Sequence, residues 1–265
     1  MCRHLAYLGP AVTASEILLD PEHSLLEQTW APADMRGSGT VNADGFGVGW
    51  YDGPGDARRY RRVVPMWADA SLPDLAQTIR TPALMAAARN GTTGMPVVET
   101  ACAPFHQGRW LFSHNGAVTD WPTSLANLAE DLPVADLLRL EAPTDSAVLW
   151  ALALRRLLDG EGVATVVEQI TTEVARAAPG SRLNLLLTDG ETVAASTWGH
   201  SLSILEGSDQ VLVSSEPFGD DPAAWQPVDD QHLVVVTVDE TKTRPLDGPP
   251  PLRADERSAK GDRTP

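Results

Sequence analysis

Basic residues and cysteine are scarce in this chain of 265 residues, which carries 36 Asp and Glu against 20 Lys and Arg. The formal net charge is −16 at pH 7. Because a strongly acidic protein repels phosphate backbones and anionic membrane surfaces, we expect neither nucleic acid nor a membrane as a partner. The two cysteines, Cys2 and Cys102, are too few for a disulfide framework, so both are predicted to be free thiols.

The sequence also lacks a long hydrophobic run. The longest nearly apolar segment, AVLWALAL at 147–154, is far shorter than the roughly 18–20 residues that cross a bilayer. The N-terminal residues MCRHLAYLGP show no charged region followed by an apolar stretch, and therefore do not resemble a signal peptide. We expect a cytoplasmic protein.

Motifs of metal, nucleotide and serine-hydrolase sites are missing. The histidines show neither HxH nor HExxH spacing, and GxSxG does not occur, so no metal and no other cofactor is expected. The glycines of GFGVGWYDG at 45–53 lead into a predicted strand and turn rather than a helix, which excludes a dinucleotide-binding loop.

Short β-type runs dominate the chain up to residue 244. Turn signals at 188–191 (TDGE) and 206–209 (EGSD) favour antiparallel hairpins between them. Many antiparallel strands with a few buried helices predict an α+β layered sandwich. Helices are predicted at 71–80, 144–158 and 161–178, and strands at 3–8, 47–51, 60–66, 84–88, 110–113, 183–188, 192–198, 202–206, 210–214 and 233–238.

The last segment of the chain differs in composition from the rest. Residues 245–265 are rich in proline and charge and contain almost no large apolar side chains. Such a segment cannot bury enough apolar surface to offset the entropy of ordering, so we predict a disordered or loosely attached tail after a folded domain of residues 2–244.

Cys2 is the first candidate for chemistry. Methionine aminopeptidase removes Met1 when the second residue is small, and the mature chain would then carry a thiol and a free α-amino group on one residue. An α-amino group titrates near about 7.7–8.0 and a free thiol near about 8.5, so the amine can accept the thiol proton near neutral pH. A cysteine in this position is weak evidence alone. Cys102, in the apolar stretch ACAPF, is interpreted as a small buried hydrophobic residue.

Three polar segments follow predicted strands or open a helix. Asn115 and Gly116 in HNG could donate two hydrogen bonds to an oxyanion, although Asn-Gly is also an ordinary turn signal. Arg89 in ARNGTTG is suited to gripping a carboxylate, unless it is an ordinary surface arginine. Asp145 follows the helix N-cap Thr144, where it either complements the helix dipole or holds a substrate ammonium.

Together these segments resemble class II glutamine amidotransferase domains, which are N-terminal-nucleophile hydrolases. The resemblance is strongest to the stand-alone hydrolases of ergothioneine biosynthesis that act on γ-glutamyl hercynylcysteine S-oxide, and it spans about residues 2–240. It is carried by MCRHLAYLG at the start, NADGFGVGWY at 42–51, ARNGTTG at 88–94, PFHQGRWLFSHNG at 104–116, TDSAVL at 144–149, LNLLLTDGE at 183–191 and VSSEPFGDDPAAWQPV at 213–228.

The resemblance implies a four-layer α/β/β/α sandwich and a cysteine amidohydrolase that forms a γ-glutamyl thioester on Cys2. Asn115 and Gly116 would form the oxyanion hole. Arg89 would hold the α-carboxylate of a small-molecule γ-glutamyl substrate.

Further roles are implied for residues around that grip. Thr92 would assist Arg89, and Asp145 would hold the α-ammonium group. Many members of the family carry histidine where this chain has Thr93, which leaves a hydroxyl donor there.

None of these motifs recognises the leaving group of the substrate. We nominate two loops for it, 36–50 and 213–227, whose acids and tryptophans could receive a trimethylammonium group. These residues are Trp50, Trp225, Asp44, Glu216, Asp220 and Asp221.

Two other functions remain open at this stage. One is a glutaminase subunit that supplies ammonia to a separate synthase, but the residues after 240 are too few for an acceptor domain of its own. The other is an inactive binding protein with the same fold. The sequence does not predict the oligomeric state.

Overall fold

The structure is a computed structural model that describes residues 2–34 and 41–248. Its strands are β1 Arg3–Thr13, β2 Phe46–Trp50, β3 Arg58–Arg62, β4 Arg80–Ala88, β5 Phe105–Gln107, β6 Trp110–Ala117, β7 Arg182–Thr188, β8 Val193–Thr197, β9 Ser203–Glu206, β10 Val211–Ser214, β11 Gln226–Pro227, β12 His232–Val236 and β13 Thr241–Pro245. Its α-helices are α1 Ala14–Leu18, α2 Leu25–Gln28, α3 Leu72–Thr78, α4 Ala126–Ala129, α5 Val134–Leu137, α6 Asp145–Leu158 and α7 Val163–Ala177.

Two antiparallel sheets form the centre of the fold. One sheet has the strand order β11-β9-β10-β1-β4-β2-β3, and the other has the order β13-β12-β8-β7-β6-β5. Both predicted hairpins are present, since β7 pairs with β8 and β9 pairs with β10. In the first sheet the central strand β1 lies between β4 and β10.

Alternation of side chains along β1 explains the layers. Leu5 and Tyr7 pack into a core beneath α1, α2 and α3, whereas Ala6 and Leu8 pack into a second core between the two sheets. A third core lies between the other sheet and helices α6 and α7. The layers therefore run helix, sheet, sheet, helix, which confirms the predicted α+β four-layer α/β/β/α sandwich.

The longest helices were predicted well because their ends carry local signals. The Thr144 hydroxyl accepts a hydrogen bond from Ala147 N at the start of α6, and Gly160 follows its end with a positive φ. α6 is buried on most of its faces, as its apolar circumference predicts.

One predicted strand was partly wrong. The run at 60–66 pairs with β2 only as far as Arg62, and residues Met66–Ala68 form a 3-10 turn. Pro65, which precedes that turn, has no N–H to donate to a ladder, so the strand cannot continue through it. The short elements β5, β11 and β13 were not predicted.

The domain boundary at 244 stays a prediction. The last strand, β13, extends to Pro245 and pairs with β12, and the buried Leu246 donates its N–H to Gln231 O. Residues 249–265 of the predicted tail, and residues 36–40 of the first loop nominated for the leaving group, lie outside the described residues.

Candidate active site

Cys2 lies at the N-terminal end of β1, between the two sheets. It is half-buried and its Sγ is 3.6 Å from Asn90 O, just beyond the end of β4. It opens onto a small cavity whose polar wall includes Arg89, Ser113 and Ser146. The remaining lining residues are Ala87, Ala88, Ala101, Ala103, Phe105 and His114.

Arg89 lies at the same end of the first sheet as Cys2. The pairing of β1 with β4 ends at Arg3 and Ala88, and Cys2 and Arg89 are the next residues beyond the ends of the two strands. On its other side, Arg89 N donates to Gly45 O at 2.7 Å. Its Nη1 atom is buried and has no hydrogen-bond partner within the described part of the chain. Because buried donors are normally paired, this nitrogen is poised to bind an acceptor in the cavity.

The loop after Arg89 is held by Asp44. The Asp44 carboxylate accepts a hydrogen bond from Gly91 N at 2.7 Å, and a Cβ atom on Gly91 would lie 3.2 Å from Arg89 Nη2. Thr92 and Thr93 follow in an exposed turn closed by a hydrogen bond from Met95 N to Thr92 O. Neither threonine lines the cavity that contains Cys2.

Asn115 is buried on β6, on the face that looks toward the first sheet. Its Nδ2 atom is 3.3 Å from Ser215 Oγ, and its Oδ1 atom has no partner among residues 2–34 and 41–248. Rotating the amide by 180° exchanges these two atoms and leaves the NH₂ group unpaired instead. Either way, Asn115 keeps one amide atom available inside the protein.

The N–H of Gly116 points away from the neighbouring strand β7. Gly116 pairs with Leu183, whose own N–H donates to Trp198 O on the opposite side of β7. The pair is therefore the type without hydrogen bonds, and Gly116 N–H is directed toward the β5 side. Pairing of β5 with β6 ends at Phe105 and Phe112, short of this position. The sheet thus leaves a second donor near Asn115.

Glycine is required at position 116 for packing as well. A Cβ atom there would overlap the carbonyl oxygen of Arg182. The same close approach lets His114 Nε2 reach Arg182 O at 2.9 Å, while His114 Nδ1 lies 3.0 Å from Ser146 Oγ. Because Arg182 O can only accept, His114 Nε2 carries a proton and donates to it.

Asp145 joins the start of α6 to the end of β6. One carboxylate oxygen accepts from Val118 N at 3.0 Å and the other from Ser146 N at 2.7 Å. The carboxylate is buried, Oδ1 also lies 3.3 Å from the Ser146 hydroxyl, and Oδ2 retains a further acceptor site. Asp145 therefore has a structural role at the helix N-terminus and the capacity to bind a ligand cation.

Comparison with known proteins decides the family. The sequence profile described as glutamine amidotransferases class-II matches residues 24–219. The chain belongs to the class II glutamine amidotransferase family. The chain is 41% identical over 236 residues to γ-glutamyl-hercynylcysteine sulfoxide hydrolase of Mycolicibacterium smegmatis, covering 89% of this chain and 96% of that protein. It is 40% identical over 237 residues to the hydrolase of the same name from Mycobacterium tuberculosis, covering 89% and 93%.

The fold of this class II glutamine amidotransferase is also found in solved structures. A glutamine aminotransferase class-II domain protein from Silicibacter pomeroyi superposes with a TM-score of 0.66 at 22% identity, covering 93% of this chain and 100% of the other. The sandwich is therefore that of the N-terminal-nucleophile hydrolases, as the sequence motifs predicted.

A buried network behind the nucleophile of this amidotransferase was missed by sequence reasoning. His4 Nδ1 lies 3.2 Å from Ser113 Oγ, and the hydroxyl of Ser215 accepts from His4 N at 3.0 Å while bridging to Asn115. Burial, with smaller contributions from the charges of His114 and Arg3, lowers the pKa of His4 to about 3. His4 is therefore neutral at physiological pH.

The Arg3 side chain ties the nucleophile to two other segments. Its Nη1 donates to Cys2 O at 3.1 Å and its Nη2 donates to Asp34 O at 2.6 Å. The same guanidinium pairs with Glu216, whose carboxylate also accepts from Ala33 N and Asp34 N. The two serines at 214 and 215 are the only sequence feature that could have indicated this network.

The two tryptophans predicted to contact the leaving group lie far apart in the structure and away from Cys2. Trp50 lies at the far end of β2 from Gly45, packs against the core under α1–α3, and donates its indole N–H to Asp52. Trp225 is buried against Phe218 and donates to Phe218 O at 2.9 Å. Neither tryptophan lines the cavity with Cys2.

Two further observations concern the described residues as a whole. Residues 2–34 and 41–248 contain no group of three or more His, Cys, Asp or Glu side chains arranged to hold a metal ion. Over the same ranges, every helix is too short or too polar to cross a bilayer.

Proposed function

We propose that this chain is a cysteine amidohydrolase that removes the γ-glutamyl group from γ-glutamyl-hercynylcysteine sulfoxide, the step that the sequence resemblance assigns to ergothioneine biosynthesis. The observation that carries the proposal is one cavity that contains both the free thiol of Cys2 and the side chain of Arg89, which has a buried nitrogen with no partner in residues 2–34 and 41–248. The substrate is taken from the hydrolases that share 40–41% identity with nearly the whole chain. A cytoplasmic location remains part of this proposal.

Cys2 is the proposed nucleophile. Once Met1 is removed, its α-amino group accepts the thiol proton and the thiolate attacks the γ-carbonyl carbon. The tetrahedral intermediate collapses, and the amine leaves with a proton from the ammonium group. Water then hydrolyses the γ-glutamyl thioester, which releases glutamate and regenerates the thiol.

The oxyanion is stabilised by two donors on β6. The Asn115 Nδ2 atom donates one of its two hydrogens to Ser215 Oγ, and its second N–H is left to donate to the oxyanion. The Gly116 N–H, directed away from β7, is the second donor. Removing one such donor from an oxyanion hole typically slows turnover by about 10²–10³-fold.

The glutamyl head is held at its other end by opposite charges. Arg89 binds the α-carboxylate through the nitrogen that has no partner among the described residues, and Thr92 assists from the following turn. Asp145 accepts hydrogen bonds from the α-ammonium group with its remaining lone pairs. Thr92, Thr93, Asp145 and Trp50 do not line the cavity, so their proposed roles rest on the family resemblance.

A comparison of the two cysteines tests the nucleophile. Cys2→Ala is expected to abolish turnover while substrate binding, measured by calorimetry, is retained. Cys102→Ala is the matched control, because burial raises the pKa of the Cys102 thiol to about 11 and keeps it an unreactive thiol at neutral pH. Equal loss of activity in both variants, or none in Cys2→Ala, would contradict the assignment.

A substrate comparison tests the function itself. The purified protein, shown by intact mass to lack Met1, should cleave γ-glutamyl-hercynylcysteine sulfoxide with a higher kcat/KM than glutamine. A preference for glutamine would favour the ammonia-supplying glutaminase. Binding without turnover of either compound would favour the inactive binding protein.

A further inference from the structure

A second cavity lies near the N-terminal end of β1, on the side of β10, and is much larger than the first. Its volume is about 630 Å³, within the ~300–1,000 Å³ typical of small-molecule sites. Three segments enclose it: residues 201–203 after β8, residues 215–217 after β10, and residues 33–34 after α2. His23, Pro222, Pro227 and Val228 complete the lining.

Direct contacts connect this cavity to the reacting centre. Ser215, which lines the cavity, has its hydroxyl 3.3 Å from Asn115 Nδ2. Asp34, also in the lining, accepts from Arg3 Nη2 at 2.6 Å, and Arg3 Nη1 in turn donates to Cys2 O. Ser215 therefore links the cavity to Asn115 of the proposed oxyanion hole, and the Arg3 guanidinium links it to the carbonyl oxygen of Cys2.

Strand order places the cavity on the opposite side of Cys2 from Arg89. β1 lies between β4, which leads to Arg89, and β10, which leads to Ser215 and Glu216. A substrate whose α-carboxylate is bound at Arg89 and whose γ-carbonyl is at Cys2 therefore extends its leaving group toward the β10 side. The 630 Å³ cavity is the space found there.

We propose that this cavity is the subsite for the leaving amine, and that it selects an amino-acid-sized or larger amine over ammonia. The inference rests on the proposed attack of Cys2 on a γ-glutamyl amide. Recognition comes from shape and from hydroxyl groups, since Ser201, Ser203 and Ser215 line the cavity and no tryptophan does.

Glu216 lines this subsite, but its negative charge does not bind the ligand. Its carboxylate pairs with Arg3 and His23 and accepts from the backbone N–H groups of Ala33 and Asp34. With these four partners the carboxylate is already compensated. The subsite thus differs from the cage of acids and tryptophans that the sequence predicted for a trimethylammonium group.

A bulky substitution at Ala33 tests the subsite. Ala33 is exposed and lines the cavity, and its N–H bond to Glu216 is kept by any residue other than proline. Ala33→Trp should lower the ratio of kcat/KM for γ-glutamylphenylalanine to kcat/KM for glutamine by at least tenfold, mainly through KM. Ala31→Trp, also exposed but outside the cavity lining, should leave that ratio unchanged.

A second variant covers the opposite wall. Pro222→Trp should reduce the same ratio, and Ala223→Trp, its exposed neighbour outside the cavity lining, should not. Unchanged ratios in both Ala33→Trp and Pro222→Trp, with folding verified by circular dichroism, would overturn the subsite. This ratio is measured without γ-glutamyl-hercynylcysteine sulfoxide. If the wild-type protein did not prefer that substrate, the proposed function would be wrong. The subsite would still be tested by the Ala33→Trp and Pro222→Trp variants.

Discussion

The guanidinium of Arg3 lies directly against the carboxylate of Glu216, and both side chains are almost completely buried, at 2% and 1% exposure. Arg3 is adjacent to Cys2 in the chain and donates to its carbonyl oxygen. Glu216 lies one residue after the serine that contacts Asn115. This ion pair therefore fixes the nucleophile and the neighbouring segment of β10 in one arrangement.

Removing the charge of Glu216 should destabilise the protein strongly. Glu216→Gln leaves Arg3 buried without a counter-charge, and breaking a buried pair in this way costs about 3–5 kcal/mol. Glu168→Gln, which removes the partly exposed partner of Arg244, should cost less than about 1 kcal/mol. Urea unfolding monitored by circular dichroism measures both. Comparable small losses would show that the buried pair is not needed for the fold.

Arg89→Lys should lose most activity although the charge is kept. A lysine ammonium cannot reproduce the planar fork of donors that binds a carboxylate, and such charge-assisted contacts contribute about 2–5 kcal/mol. We expect kcat/KM to fall by about 30-fold or more. The control is Arg80→Lys, at the exposed start of the same strand. If Arg89→Lys kept wild-type efficiency, Arg89 would not be the residue that binds the α-carboxylate.

Gly116→Ala should be far more disruptive than a glycine replacement elsewhere. The new methyl group would overlap Arg182 O and crowd His114, so β6 must shift relative to β7. Overpacking of this kind typically costs about 1–3 kcal/mol, and it would move a proposed oxyanion donor. Gly162→Ala, where no atom lies within 4 Å, should cost under about 1 kcal/mol. Thermal unfolding of the Gly116→Ala and Gly162→Ala variants measures this difference. Equal unfolding midpoints would contradict the close contact between Gly116 and Arg182 O.

Stability should decrease as the pH falls below neutrality because of two buried histidines. Burial lowers the pKa of His4 to about 3 and that of His200 to about 2, from an ordinary value of 6.5. At pH values between the lowered pKa of each folded-state histidine and 6.5, the unfolded chain binds more protons than the folded chain. Lowering the pH through this range therefore favours unfolding. Each histidine should contribute a loss of about 1 kcal/mol as the pH falls by about one unit below 6.5.

Urea unfolding at several pH values measures this dependence. His200→Gln should make it shallower, since glutamine can still accept the hydrogen bond from Arg182 Nε without titrating. An unfolding free energy that stayed constant from pH 7 to pH 5.5 would contradict neutral burial of both histidines.

Local sequence signals determined much of the fold. The TDGE and EGSD turns, the N-cap Thr144 and the period-two apolar runs predicted both hairpins, helix α6 and most strands, because each signal acts on residues close together in the chain. The ordered motifs likewise identified the family. The candidate residues Cys2 and Arg89 were named from those motifs before their register was known.

Only the tertiary structure decided which of those residues meet, because strand order is not encoded locally. It placed β1 between β4 and β10, and so brought Arg3 against Glu216 and Ser215 against Asn115. It also buried Trp225 in a core, where composition had suggested a ligand contact. A side chain's neighbours across a sheet depend on pairing between distant segments, whereas sequence patterns report only which face that side chain occupies.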